Sequence, residues 1–359
     1  VVPVISKENK PLMPCSEKRA RLMMDRKEAK AYWQKGIFCI KLCKEVKDPK
    51  FQAVALGIDP GSKREGYTVA TEKHVVLNIT TNTKDWVKKH VETRRSLRNA
   101  RRHRNCPYRK SKNNRSSFKI KNKTPPSTKT RWLTKINIIK YLQKILPITI
   151  INIEDIKAKT KKGQKEWNTS FSPLQSGKKL FYEEILILNI KLIKTLGFNT
   201  HLHRISRNFI KDKKNKLDYR WEVHNVDSHS LCEIAFKKNI IPFKSVYKIE
   251  FIKYFRRQLH VISPITGNFR KEFGKTISLQ IPKGSVVIYK NKLCYIGGTS
   301  KNKISIYNII SAERLGQCIK KENINVLYKQ NRRVQYLSIN NKWKSLNIFL
   351  QKKKDVKWK

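Results

Sequence analysis

The sequence predicts an α/β protein: a mixed sheet flanked by a long arginine-rich helix, with a small domain ahead of it and a small β domain after it. Three observations carry that prediction. Residues 53–58, 66–70 and 74–79 are strand-like apolar runs separated by short turns, and the first of them ends at Asp59. A β-branched run over 148–153 again ends in an acid, Glu154, and its unbroken apolar character marks a central strand covered on both faces. Further on, His224-Asn225-Val226-Asp227 opens a helix running to about Lys238, which puts a third acid in the first turn.

Taken in order, residues 1–50 form a basic N-terminal domain. It holds Pro11-Leu12-Met13-Pro14, a helix from Ser16 to about Gln34, and an apolar strand over 37–42. Residues 51–83 are the first part of the core. Residues 84–112 form the basic helix, where Arg94, Arg95, Arg98, Arg101 and Arg102 fall within a stripe about 120° wide at 100° per residue. Arg104 follows just beyond. A solvated helix normally mixes its charges, whereas only Glu92 opposes this stripe, so the face suits phosphate, which planar guanidinium binds in a fork. Residues 113–147 are a Lys-, Asn-, Ser- and Pro-rich linker that orders on nucleic acid, followed by a helix near 132–146. The core resumes over 148–240, with a helix over 178–196 that Gly197 stops, a strand over 198–205 and the helix at His224. Residues 241–359, with short strands and glycine turns, predict a separate barrel-like β domain and a basic tail.

Charge decides the class of partner. The 359 residues include 81 Lys plus Arg against 26 Asp plus Glu, a formal net charge of +55. Such a protein repels itself unless a polyanion neutralises it, so nucleic acid is expected ahead of an anionic membrane surface. No apolar run is long enough to span a bilayer and no secretory leader is expected. Seven cysteines without a C-x-x-C pair fit neither a disulfide framework nor a structural zinc site, which points to a reducing, intracellular compartment. Abundant Ile, Lys and Asn suggest an AT-rich genome, and hence a bacterial cytoplasm, with nucleoid association, or a plastid.

The three acids suggest the chemistry. Hydrolysis of a phosphodiester needs an activated water and charge stabilisation on the leaving oxygen, which two divalent ions can supply. Asp59, Glu154 and Asp227 offer carboxylate oxygens suited to Mg²⁺ or Mn²⁺ and not to zinc. His224, three residues ahead of Asp227, could orient the water or protonate the leaving group. Any one of these residues alone would more often be a turn or capping residue; their order gives them weight.

Gly57-Ile58-Asp59-Pro60-Gly61-Ser62 resembles the first RuvC motif, Ile153-Glu154 the second, and His224-x-x-Asp227 the third. The arginine-rich segment resembles the bridge helix of the transposon-encoded IscB and IsrB proteins, and Pro11-Leu12-Met13-Pro14 the element that names their N-terminal domain. Arg256-Arg257-Gln258-Leu259-His260 and Gly297-Gly298-Thr299 are similar to their C-terminal region, which binds guide RNA and target-flanking DNA. Two departures stand out. The family's Arg-Arg-x-Arg-Arg element is altered, since Arg101-Arg102-His103-Arg104 is followed by Asn105. The interval between Glu154 and His224 is also short and lacks a His-Asn-His cluster, so the chain resembles IsrB, the form without an HNH nuclease.

The resemblance implies an RNase H-like (RuvC) core and metal-dependent nicking of the displaced, non-target DNA strand under the direction of a guide RNA. It implies two Mg²⁺ or Mn²⁺ ions on Asp59, Glu154 and Asp227, with His224 assisting. It also implies a monomeric protein bound to an omega-type guide RNA and to target double-stranded DNA. The RNA contacts would come from Arg94, Arg95, Arg98, Arg101, Arg102, Arg104, Arg256, Arg257 and His260. An unguided RNase H-fold resolvase or transposase would share the acids without needing the arginine helix, and a non-catalytic RNA-binding relative would not need all three acids.

Overall fold

The computed structural model describes residues 1–34, 36–102, 124–156, 172–212, 214–251, 277–300, 303–309, 311, 313–329, 332–337 and 343–344. The chain opens with β1 (Val2–Ile5), β2 (Pro11–Cys15), α1 (Glu17–Asp25), β3 (Ala29–Gln34) and β4 (Ile37–Leu42), whose strands form a sheet in the order β2-β1-β4-β3. The helix expected to reach Gln34 therefore ends nine residues early. Lys27 takes a left-handed φ of 58°, which closes α1, and β3 then pairs residue by residue with β4 across Gly36 at φ 100°.

The core begins with the predicted meander of β5 (Val54–Asp59), β6 (Arg64–Thr71) and β7 (Val75–Asn82). The helices α2 (Trp86–Arg102) and α3 (Pro126–Leu142) precede β8 (Ile150–Asp155). After it come α4 (Pro173–Ile187), β9 (Lys191–Leu196), α5 (Gly197–Ser206), α6 (Trp221–Phe236) and β10 (Val246–Phe251). The remaining strands are β11 (Ile277–Ser278), β12 (Ile281–Pro282), β13 (Val286–Tyr289), β14 (Lys292–Ser300), β15 (Lys303–Asn308), β16 (Arg314–Ile319), β17 (Asn325–Tyr328), β18 (Arg332–Leu337) and β19 (Trp343–Lys344). The large sheet runs β19-β18-β10-β7-β6-β5-β8-β9. Within it, β5, β6 and β7 are antiparallel, whereas β8 lies parallel to β5 and β9 parallel to β8. An antiparallel meander continued by two parallel strands beside its first strand is an RNase H-like α/β core. Strands β11 and β12 pair as a small two-stranded sheet and a five-stranded antiparallel sheet runs β16-β15-β14-β13-β17, so the chain past residue 240 contributes both to these and, through β10, β18 and β19, to the large sheet. Among the described residues no helix is long and apolar enough to cross a membrane.

Between residues 178 and 205 the structure departs from the expected order. Asn189, at a left-handed φ of 52°, follows the end of α4, residues 191–196 pair with β8 as a strand, and Gly197 opens a helix where it was expected to close one. Leucines at helical spacing run through this stretch, so periodicity alone does not show the boundary; the unpaired edge of β8 draws 191–196 into the sheet.

The two faces of the core sheet are used differently. Leu56, Ile58, Ile151 and Ile153 are buried in one cluster with Trp132, Ile136 and Ile139 of α3 and Phe181 and Ile185 of α4. The alternate positions are small, with Ala55 and Gly57 on β5 opposite Ala70 and Thr68 on β6, and Gly66 opposite Asp59. Helix α6 occupies this side at backbone distance: a Cβ on Gly57 would lie 1.9 Å from the Ser228 carbonyl oxygen, and one on Gly66 2.3 Å from that of His224. Buried side chains tie the layers together. The Asn225 amide donates to the Tyr67 and Ile79 carbonyls, each at 3.1 Å, and the Asn152 amide donates to the Leu231 carbonyl at 2.8 Å.

Because the obstacle at Gly57 is backbone, which cannot swing aside, Gly57→Ala is expected to lower stability by about 1–3 kcal/mol in urea unfolding. Gly298→Ala, where the added carbon would meet only the Lys283 Nζ at 3.8 Å, serves as the comparison and is expected to change little.

Candidate metal centre

Strand register sets the first two acids side by side. Ile58 pairs with Ile153, so the next residues, Asp59 and Glu154, emerge together on the face covered by α6. Asp227 arrives from α6; because that helix starts at Trp221, Asp227 lies in its second turn and not in its first. One ligand oxygen from each of the three carboxylates lies within 4.8 Å of the others. Gly197 is the residue that leaves room for Glu154, since a Cβ there would sit 2.4 Å from Oε1.

This crowding is electrostatically costly. Burial, together with the nearby charges of Asp227 and Glu154, pushes the Asp59 carboxyl up to about 8, and burial and Asp227 raise Glu154 as well. Two basic groups offset the repulsion. Lys211 Nζ pairs with Asp227 Oδ2, and Arg204 Nε lies 3.2 Å from Asp227 Oδ1. Burial opposes the charged form of Lys211, but Asp59 and Asp227 outweigh it and raise its pKa. Three convergent hard oxygen donors, whose proximity favours the protonated form unless positive charge offsets it, are a fitting set for a divalent cation of the Mg²⁺ or Mn²⁺ type.

His224 stands beside this group. Its Nε2–H donates to the Lys216 carbonyl at 3.0 Å, which makes Nδ1 the acceptor in the neutral ring, and burial lowers its pKa to about 4. The arginine stripe lies on α2, with Arg94, Arg95 and Arg98 exposed and Arg101 and Arg102 at the helix end. Arg104, Arg256, Arg257 and His260 lie outside the described residues. Sequence reasoning missed Lys211, Arg204 and the tethering Asn225. Lys211 stands in a lysine-rich stretch with nothing to distinguish it, and Arg204 falls in a segment expected to be a strand. The alternating small residues at 55, 57, 66 and 70 were the one readable sign of a close helix.

Residues 2–171 match the family described as RRXRR protein. The match fits an IscB/IsrB-like, RuvC-containing protein, and with the three convergent acids it supports a nuclease of the RuvC type. Among solved structures, T. thermophilus RuvC in complex with a Holliday junction substrate is similar over 44% of this chain and 73% of its own, at 9% identity and a TM-score of 0.23. No curated protein sequence matches the chain.

The raised pKa of Asp59 has a definite sign. Its folded-state value lies above the ordinary 3.8, so the stability of the metal-free protein is fullest below that pH and falls as pH rises toward 8. In thermal melts with chelator, Asp59→Asn is expected to exceed the parent at pH 8 by on the order of 1–3 kcal/mol, and the gap is expected to close near pH 4. Added Mg²⁺ should stabilise the parent and leave the variant unmoved.

Proposed function

We propose that the chain is an RNA-guided DNA endonuclease that nicks the displaced, non-target strand through a single RuvC-type centre. The observation that carries this reading is the convergence of Asp59, Glu154 and Asp227 on one point from three separate parts of the chain. In this role the three carboxylates hold two Mg²⁺ or Mn²⁺ ions, and such ions, when bound, supply an activated water and neutralise the leaving oxygen. His224, neutral at physiological pH, suits the orienting of a water better than the protonation of a leaving group, since burial leaves it a weak base. Lys211 supplies positive charge at the point where phosphate would enter.

Recognition divides along physical lines. Base pairing with a guide RNA reads the target, while exposed arginines on α2 hold the backbone of the A-form duplex, which displays phosphates and shape more than sequence. The charge of +55 and the match of residues 2–171 to the RRXRR family support this division. A single centre of this kind cuts one strand, and the protein would act as a monomer within its ribonucleoprotein.

On supercoiled DNA with guide RNA and Mg²⁺, the parent is expected to give open circles and no linear product, and Asp59→Asn to slow nicking roughly a thousandfold or more. Equal rates for the two proteins would sink the assignment, and guide-independent nicking would favour an unguided resolvase. Replacing Arg94 and Arg98 together should reduce the slope of log affinity for RNA against log salt by about one to two, as expected when two phosphate contacts are lost. An unchanged slope would place those side chains in solvent.

A further inference from the structure

We infer that the cavity beside Glu154 is a subsite for one nucleotide of the strand being cut, with Arg131 holding its phosphate; this rests on the nuclease reading above. The cavity has a volume of about 330 Å³, and Glu154 lies on its rim together with the Pro60-Gly61-Ser62 turn that follows Asp59. The cavity thus adjoins the strand ends that carry two of the three carboxylates. The volume stands at the small end of ligand pockets, which suits a single unstacked nucleotide and excludes a duplex.

The lining chemistry supports the same ligand. Three cations face the cavity: Arg131 and Lys135 of α3 and Lys178 of α4. Two of them are already committed. Lys135 Nζ lies 2.5 Å from Glu65 Oε1 in a buried ion pair, and Lys178 pairs with Asp155 and donates to the Ile156 carbonyl at 3.2 Å. Among the described residues Arg131 has no acidic partner, and its Nε–H is shielded from solvent without an acceptor. A guanidinium that lines a cationic cavity with no carboxylate of its own among the described residues suits a ligand carrying negative charge and acceptor oxygens, and phosphate offers both. The remaining wall, with Leu174, Pro173 and the edge of Trp132, is apolar and suits a sugar or base. The wall is also well supported: Trp132 packs on Phe181 with ring centroids 5.3 Å apart, and Gly177 of α4 leaves room for its indole.

The test is equilibrium dialysis of thymidine 5′-monophosphate, thymidine and inorganic phosphate against the full-length protein, at salt high enough to suppress diffuse binding. Thymidine monophosphate is expected to bind more tightly than either fragment, and Arg131→Met to weaken it about tenfold, the loss of one charge-assisted contact. Arg131→Lys should restore part of the affinity, and the exposed control Lys18→Met should leave it unchanged. Equal binding by Arg131→Met and the parent overturns the subsite, as does an equal loss in Lys18→Met, which would mark diffuse charge. Tight binding of phosphate alone would make it a simple anion site and overturns the nucleotide assignment. A cutting assay keeps the two readings apart. Neutralising one backbone linkage next to the cut with a methylphosphonate should slow the parent and leave Arg131→Met unaffected. If nucleotide binding follows the expected pattern while the parent cuts no DNA, the nuclease reading falls and the subsite stands.

Discussion

The contact on which this centre depends is the approach of α6 to the sheet at backbone distance. Asp227 can share a point with Asp59 and Glu154 only if the helix lies closer than ordinary side chains allow, and Gly57 and Gly66 remove the carbons that would hold it off. Such closeness also buries polar backbone and needs its own anchoring, which Asn225 and Asn152 provide by donating across the layers to main-chain carbonyls. The opposite face of the same strands packs large aliphatic residues against α3 and α4, which leaves the acid cluster to the α6 side.

Charge runs through the molecule at two scales. Locally, three carboxylates in a desolvated space repel one another, and Lys211 and Arg204 compensate them from the segment just ahead of α6. Globally, the excess of lysine and arginine leaves the protein self-repelling, which a polyanion relieves. A nuclease that handles its substrate as a polyanion while binding cations at the point of cleavage needs both signs of charge, arranged so that the acidic patch is small and deep within a basic surround. In the structure three acids are clustered at one point, and Arg94, Arg95 and Arg98 of α2 are exposed.

Much of the core was legible in the residues because burial leaves a periodic trace. The meander over β5, β6 and β7 and the β-branched strand β8 appeared where the apolar runs placed them, and the acids at their ends were visible as the points where those runs stop. The missed boundaries have more than one cause. In α1 and α4, lysine and asparagine take left-handed conformations that glycine more often marks, so the ends of those helices carried no recognisable stop. The segment over 191–196 became a strand through pairing with β8, a contact between residues distant in sequence that local propensity does not register.

By itself, the sequence determined that an α/β core with acids at strand ends lies within a strongly basic chain, because composition, periodicity and residue order are local properties. Only the tertiary structure decided that Asp59, Glu154 and Asp227 meet, that Lys211 and Arg204 answer them, and that Arg131 faces a cavity at their side. Those facts depend on strand register and on the depth at which one helix settles against a sheet. Both are set by long-range packing, which brings together residues that no short stretch of sequence relates.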